Sequence, residues 1–210
     1  NRAEEWNMKV AISYKHDAMM LGTGILDMER GHFSEAKPFY WQADTSMAFN
    51  SWCYTEQNRF KKSSDILQDL VDIVSKNGRM LLNVGPDAYG NIPPESMQIL
   101  SEIGAWMKKN SKSVYGCGLA GIEKPDYGRV TRNGNLLYYH MFENTMGPVP
   151  LTGIKPGTIK KIRLLCDGSE VPISDSWVHT DYPDIVFANL GPDPVLPDAV
   201  DTVLEVELTE

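Results

Sequence analysis

Residues 63–84, with the sequence SSDILQDLVDIVSKNGRMLLNV, join a helical pattern directly to a strand pattern. Apolar residues recur along residues 63–77 at the period of one helical face, which predicts an amphipathic helix. Ser63 or Ser64 is expected to cap its first turn, and Gly78 to end it. The stretch MLLNV after Gly78 and one Arg is apolar at nearly every position, as in a strand buried on both faces.

A second helix and two short strands flank this stretch. Pro93 opens a helix that runs to about Asn110. Residues 9–14 and 24–28 are strand candidates upstream. Strands that alternate with helices through tight links predict a parallel α/β arrangement, whose helices cover one face of a sheet or the outside of a barrel.

Residues 29–62 show no clear periodicity, which indicates a long connection without regular secondary structure. A connection of that length in a compact domain is usually functional or poorly ordered. The many aromatic residues in it argue against disorder. We therefore expect an ordered loop that walls a site. The aromatic residues are Phe39, Tyr40, Trp41, Phe49, Trp52 and Tyr54.

From residue 117 onward the texture changes to short strands with frequent Gly and Pro and no helical period. This predicts a small antiparallel β-sandwich, so we divide the chain into residues 1–116 and 117–210. The first part has a net charge of −1 and the second a net charge of −7. Strand candidates in the second part are residues 136–142, 160–166, 185–188 and 202–208.

Composition excludes several classes of protein. The chain has 210 residues, a net charge of −8 and ample aromatic residues, which argues against disorder and against a nucleic-acid partner. No apolar stretch is long enough for a membrane span. Cys53, Cys117 and Cys166 form no metal-binding spacing, and we expect them to be unpaired thiols. Residues 1–8 resemble the end of a helix, which suggests that sequence precedes them.

Glu29 is the first candidate for chemistry, because it directly follows the strand candidate 24–28 and precedes the aromatic loop. Apolar walls would raise its pKa toward neutrality, and the carboxyl group could then protonate a leaving group. Tryptophans beside a carboxylate are typical of a sugar site. The alternative is that Glu29 only pairs with Arg30 or Lys37 on the surface.

Other polar residues also follow strands. Asp87 could be a second carboxylate, although a turn-capping role after Gly-Pro is favoured. His16 and His32 could ligate a metal, but no HxH or HExxH motif supports that role. No metal is expected.

Several linked motifs resemble the α-L-fucosidases of glycoside hydrolase family 29. They are MLLNVGPDAYG at residues 80–90, VDIVSKNG at 71–78, Ser51-Trp52-Cys53-Tyr54, and LDMERG at 26–31 followed by YWQADTS at 40–46. The resemblance covers roughly residues 1–116 and implies an α/β plus all-β protein. Its expected fold is the C-terminal part of a (β/α)8-type barrel, followed by the β-sandwich.

The resemblance implies a retaining exo-glycosidase that removes terminal α-L-fucose from glycans with two carboxyl groups and no cofactor. Glu29 falls at the acid/base position of one bacterial branch, and Trp52 where an aromatic ring packs on the methyl face of the sugar. The fucose-contacting basic residue falls near Lys15 or His16. Trp41 is a further candidate for the pocket wall. The resemblance to this family also implies a periplasmic or secreted protein.

One motif of the family is missing. Its nucleophile is an Asp in a Trp-Phe/Tyr-Asp-Gly motif, and none precedes Glu29 here. We therefore expect the isolated chain to be inactive, with the other barrel half supplied elsewhere. Two alternatives stay open, a non-catalytic carbohydrate-binding protein and a structural module in which Trp41 and Trp52 are core residues.

Overall fold

The computed structural model describes residues 2–7, 10–192 and 195–209. In its first part, a short helix precedes three consecutive strands, and two longer helices flank the fourth strand. The elements are α1 (Arg2–Glu5), β1 (Ser13–Lys15), β2 (Ile25–Glu29), β3 (Trp41–Ser46), α2 (Ser63–Ser75), β4 (Gly78–Asn83), α3 (Pro94–Asn110) and a 3-10 turn (Ser111–Ser113).

The second part is built almost entirely from strands. They are β5 (Gly118–Leu119), β6 (Gly128–Asn133), β7 (Leu136–Met141), β8 (Val149–Leu151), β9 (Ile159–Leu164), β10 (Val186–Ala188) and β11 (Thr202–Leu208), with a short helix α4 (Val178–Asp181). All four strand candidates of this part are confirmed with small shifts of their ends.

The first sheet has the order β1-β2-β3-β4, and all its pairs are parallel. Helix α2 joins β3 to β4 and packs on the face that carries Trp41 and Ala43, where Ile73 completes a small apolar cluster. A second cluster below α2 and α3 contains Met47, Ile66 and Ile99. Strands β1 and β4 form the two edges of this sheet.

A five-stranded sheet, β5-β6-β7-β11-β9, and the two-stranded sheet β8-β10 make the second part, and every pair in them is antiparallel. Their shared core includes Leu137, Tyr139, Leu151 and Leu204. The β-sandwich expectation therefore agrees with the observed pairing.

The other face of the five-stranded sheet packs on the helices of the first part. Trp106 of α3 lies in one apolar cluster with Tyr138 and Val203 of the sheet, and its indole Nε1 donates to Asp201 O at 3.1 Å. One apolar core thus contains residues from both sides of residue 116. The division of the chain into two domains at that residue stays a prediction.

Several local predictions are wrong. Lys62, without a side-chain cap, precedes α2, and the helix ends before Asn77, which takes the left-handed conformation (φ 71°). Gly78 instead begins β4, and this position has no room for a side chain, since a Cβ there would lie 2.6 Å from Trp41 and Ile73. Strand β4 is not buried on both faces, since Leu81 is 55% exposed.

The first strand and the long loop also differ from expectation. Strand β1, at Ser13–Lys15, overlaps the strand predicted over residues 9–14 only at the last two predicted positions, and residue 9 lies outside the described residues. Within the predicted loop, Trp41–Ser46 forms β3, at the centre of the parallel sheet. Tertiary pairing with β2 and β4 stabilises this strand, whose sequence alternates apolar and polar residues only from Trp41 to Asp44.

Candidate active site

The carboxyl ends of the parallel strands bring Lys15, Asp27, Glu29 and Asp44 together. Lys15 pairs in register with Asp27, and Glu29 with Asp44. Because side chains alternate along a strand, Asp27 and Glu29 share one face of β2, opposite the face that packs on α2. Charged groups thus line the face of the sheet that the helices leave open.

Lys15 is the centre of this charge cluster. Its Nζ donates to Asp44 Oδ2 at 2.7 Å and to Glu29 Oε2 at 2.9 Å. It also lies 3.2 Å from Asp27 Oδ2, whose other oxygen accepts from Gln42 Nε2 at 2.9 Å. The cluster keeps an excess of negative charge, and Asp44 Oδ1 is buried without a hydrogen-bond partner among the described residues.

Trp52 holds the second oxygen of Glu29. The indole Nε1 donates to Glu29 Oε1 at 3.2 Å, and the Arg30 guanidinium lies 4.3 Å from the centre of a Trp52 ring. Asn83 at the end of β4 donates to Trp52 O at 2.7 Å. Gly85, at φ 37°, allows this approach, since a Cβ there would lie 3.0 Å from the same carbonyl.

The environment of Glu29 is polar and open rather than apolar. Its side chain is 48% exposed. The hydrogen bond and the charge of Lys15 lower the pKa of Glu29, and the bond from Trp52 adds to that effect. In turn, the hydrogen bond to Asp44 raises the pKa of Lys15. The expectation of a raised pKa at Glu29 is therefore wrong for this arrangement.

The predicted site residues separate into two groups. Glu29, Trp52 and Lys15 are in direct contact, so the alternative pairing of Glu29 with Lys37 is not what the structure shows. Arg30 contributes to the pKa of Glu29 but donates its hydrogen bonds to Ala48 O and Phe49 O.

Two other candidates lie apart from this contact. His16 is exposed directly after β1, in the left-handed conformation (φ 53°), and its contact with fucose stays a prediction. Trp41 is fully buried against Phe33 and donates Nε1 to Lys76 O at 3.0 Å. It offers no surface to a ligand, so its assignment to a pocket wall is wrong.

The remaining candidates have structural roles. Asp87 Oδ1 accepts from the backbone N–H groups of Tyr89 and Asn91, both at 2.8 Å, which confirms the turn-capping interpretation. His32 Nδ1 lies 2.7 Å from Asp72 Oδ2. Within the described ranges, no group of three or more His, Cys, Asp or Glu side chains is arranged to hold a metal ion.

Asp27 and Asp44 are the two site residues that the sequence argument missed. Asp44 stood in a segment interpreted as a loop, so its place beside Glu29 was hidden. The polar residues at alternate positions of WQADTS, Gln42, Asp44 and Ser46, were the available signal of a strand with one polar face.

Two further observations concern surface and thiols. None of the helices in the described ranges has the length and apolar character that crossing a bilayer demands. All three cysteines are free, with Cys53 exposed beside Trp52, Cys117 buried and Cys166 half-buried.

A protein-family model and several known proteins are similar to this chain. The family model described as Alpha-L-fucosidase matches residues 3–112. An α-L-fucosidase of Dictyostelium discoideum is 36% identical over 94 residues, which are 43% of this chain and 20% of that protein. Tissue α-L-fucosidase of Mus musculus is 28% identical over 174 residues, 80% of this chain and 36% of that protein.

Solved structures agree with the sequence relatives. α-L-Fucosidase isoenzyme 1 from Paenibacillus thiaminolyticus superposes with a TM-score of 0.83 at 42% identity, over 88% of this chain and 45% of that chain. A family 29 α-L-fucosidase from Bacteroides thetaiotaomicron gives a TM-score of 0.74 at 25% identity, over 86% and 41%. The chain thus spans less than half the length of each of these relatives.

Proposed function

The chain belongs to the α-L-fucosidase family, and from this premise we propose that it is the part of a retaining exo-α-L-fucosidase that carries the acid/base, Glu29. The observation that carries the proposal is the contact of the Glu29 carboxyl group with the Trp52 indole and the Lys15 ammonium. An indole next to a carboxyl group provides an apolar surface for a sugar ring beside a proton donor.

The proposed reaction has two steps and needs two carboxyl groups about 5–5.5 Å apart. A nucleophilic carboxylate attacks C1 of the fucose while Glu29 gives its proton to the departing glycosidic oxygen. Glu29 then takes a proton from water, whose oxygen attacks C1 and releases the nucleophile. Trp52 packs against the methyl face of the sugar, and no cofactor takes part.

We assign the nucleophile to protein outside these 210 residues. The four parallel strands are then the last strands of a (β/α)8-type barrel, and their polar open face is its interior. Active sites of such barrels lie at the carboxyl ends of the strands, where Glu29 ends β2. The exposed face of Leu81 would be covered by the remaining strands.

Substrate binding must change the protonation of Glu29. In the free arrangement, Lys15 lowers the pKa of Glu29, which favours the carboxylate rather than the acid. A fucoside that excludes water, together with a nearby nucleophile carboxylate, would raise this pKa by desolvation and like charge. The proposal therefore includes separation of the Lys15 ammonium from Glu29 in the substrate complex.

A non-catalytic carbohydrate-binding protein is the second candidate function. The low pKa and the 48% exposure of the Glu29 side chain favour it, because both are unsuited to a resident proton donor. In that case Glu29 accepts hydrogen bonds from sugar hydroxyl groups, and Trp52 supplies the apolar surface.

The deciding experiment compares Glu29→Gln with the matched variant Glu35→Gln in the source protein that contains this chain. Glu35 is exposed and precedes β3. We expect Glu29→Gln to lower turnover of a natural fucoside by about 10²–10⁴ and Glu35→Gln to leave it unchanged. Azide should then restore turnover of an aryl fucoside, because it attacks the glycosyl-enzyme without a base.

Two results would contradict the enzymatic proposal. One is unchanged turnover in Glu29→Gln, and the other is a source protein that binds fucose but cleaves no fucoside. For the isolated chain we expect no release of nitrophenol from an aryl α-L-fucoside, and measured turnover would overturn the assignment of the nucleophile to another part.

The partner and the compartment follow from the same proposal. We propose a terminal α-L-fucose on a glycan as the substrate and the periplasm or the exterior of the cell as the location. Cell fractionation followed by immunodetection tests the location, and a signal confined to the cytoplasm would contradict it.

A further inference from the structure

We propose a second carbohydrate-binding site in the distal cleft, an open cleft of about 520 Å³ between the end of α3 and the five-stranded sheet. Its volume lies within the range of small-molecule sites, about 300–1,000 Å³. The residues that carry the argument are Lys112, Tyr115, Asn133, Tyr138, Arg163 and Glu205.

The distal cleft lies at the opposite end of the first part from Glu29. Helix α3 runs back from the carboxyl ends of the parallel strands, so its end at Asn110 lies near their amino ends. Asn77, next to the start of β4, approaches Gly118, where a Cβ would lie 3.2 Å from Asn77 Oδ1. The distal cleft is therefore separate from the proposed catalytic site.

Tyr115 forms an aromatic wall of the cleft and is 71% exposed. Its backbone N–H donates to Ser111 O at 2.8 Å, and Gly116, at φ 75°, turns the chain immediately after it. The turn thus fixes the backbone that presents an amphipathic ring to solvent. Such a ring suits the apolar face of a pyranose, because stacking removes apolar surface from water on both sides.

An ion pair between a half-exposed arginine and a buried carboxylate forms the floor of the distal cleft. Arg163 of β9 and Glu205 of β11 face each other in register, and Arg163 Nη2 lies 2.5 Å from Glu205 Oε1. Tyr138 of β7 pairs in register with Glu205 on its other side, and the Glu205 side chain is nearly fully buried. The Arg163 side chain is 36% exposed, so part of its guanidinium remains open to the cleft.

The chemistry of the lining favours a neutral oligosaccharide. Arg163 and Glu205 cancel each other's charge, and the exposed part of the planar Arg163 guanidinium can donate to adjacent hydroxyl groups of a sugar. The Asn133 amide and the Lys112 ammonium add donors near the rim. A glycan held here and at the Glu29 site by one chain would gain affinity through its effective concentration.

Binding to the isolated chain tests the site without any need for catalysis. We titrate lactose, N-acetyllactosamine and 2′-fucosyllactose into the chain and follow backbone amide NMR shifts and isothermal calorimetry. The variants are Tyr115→Ala in the distal cleft, Tyr89→Ala as an exposed tyrosine elsewhere, and Trp52→Phe in the proposed catalytic site.

We expect at least one of the sugars to bind saturably, with shifts at residues 112, 115 and 133. Tyr115→Ala should weaken this binding at least about tenfold, while Tyr89→Ala leaves it unchanged. The inference is overturned if no sugar binds up to ~10 mM or if Tyr115→Ala binds as tightly as the parent chain. Loss of binding in Trp52→Phe alone would also overturn it and instead support the proposed catalytic site.

Discussion

At the scale of single residues, Lys15 sets the electrostatics of the candidate site. One ammonium faces the carboxylates of Asp27, Glu29 and Asp44 at 2.7–3.2 Å. From the sequence, Lys15 is a candidate sugar ligand, and this role stays a prediction. Its contacts show that it is first a counter-ion, and that removing it would expose the carboxylates to one another.

The first prediction concerns Lys15→Met. Loss of the ammonium removes the hydrogen bond and the charge that lower the pKa of Glu29, so this pKa should rise. The carboxyl group touches the Trp52 indole, and the fluorescence of Trp52 should therefore report its titration. We expect the pH midpoint of that signal to move upward.

Subtracting the titration of Trp52→Phe isolates the Trp52 signal from the other tryptophans. Lys62→Met is the matched control, since Lys62 is exposed at the start of α2. A midpoint that is the same in Lys15→Met and the parent chain would refute the electrostatic role of Lys15.

The sequence identified the site residues that directly follow a recognisable strand. Glu29 and Lys15 close short apolar or mixed strands, and Trp52 belongs to a family motif. Trp41 could not be placed, because a buried and a ligand-facing indole look alike without the strand that carries it. The pKa of Glu29 could not be inferred either, since it depends on a lysine 14 residues away.

At the scale of elements, the junction of α2 and β4 depends on a glycine. A Cβ at Gly78 would lie 2.6 Å from ring atoms of the buried Trp41 and from Ile73. The absence of a side chain at Gly78 therefore lets the strand begin directly beside Trp41 and Ile73.

The second prediction compares two glycine substitutions. Gly78→Ala should reduce the free energy of unfolding by about 1–3 kcal/mol, because the methyl group forces Trp41 from its place. Gly104→Ala, in the middle of α3 with open space around it, should raise stability by about 0.5–1 kcal/mol. Urea denaturation of both variants measures these changes, and a neutral Gly78→Ala would mean that the junction has room to relax.

Elements with a strong period were predictable, and those defined by pairing were not. Helix α2 and strand β11 carry clear patterns and match the structure within two residues. Strand β3 was missed because Gln42, Asp44 and Ser46 on its open face are polar, so the segment is not the apolar run expected of a buried strand. The exposure of Leu81 was missed for the related reason that an apolar run does not reveal what covers it.

At the scale of the whole molecule, the two parts share a core. Trp106, Tyr138 and Val203 pack in one cluster across residue 116. Asp72 of α2 adds a polar link, since Arg129 Nε of β6 lies 2.5 Å from its Oδ1 and Lys76 Nζ lies 2.6 Å from its Oδ2.

The third prediction is a single unfolding transition. Because the parts bury one cluster together, neither should unfold alone. Tryptophan fluorescence reports mainly the first part and near-ultraviolet circular dichroism also reports the tyrosines of the second. We expect the same denaturation midpoint from both, and Val203→Ala should lower both equally. Separate midpoints would refute a shared core.

The fourth prediction is the pH dependence of the Asp72 link. Burial alone would raise the pKa of Asp72, but the hydrogen bonds from Lys76 and Arg129 outweigh it and lower that pKa. Its stabilising contribution is therefore fully present above the ordinary value of 3.8 and is lost as the pH falls below it. Asp72→Asn should cost about 1–3 kcal/mol at pH 7.

The difference between Asp72→Asn and the parent chain should shrink at acidic pH, where the parent carboxylate becomes protonated. Denaturation at pH 7 and at pH 3 measures this, with Asp17→Asn in an exposed turn as control. A difference that stays constant with pH would show that the effect of the substitution is not electrostatic.

Lys76 gives this arrangement a mechanical consequence. Its carbonyl accepts a hydrogen bond from Trp41 of the parallel sheet. Its ammonium forms an ion pair with Asp72, which also pairs with Arg129 of the antiparallel sheet. Sliding α2 along its axis would strain these attachments on both sides simultaneously. Force applied to one sheet would therefore be transmitted to the other through the helical turn of Asp72 and Lys76, which connects the two sheets mechanically.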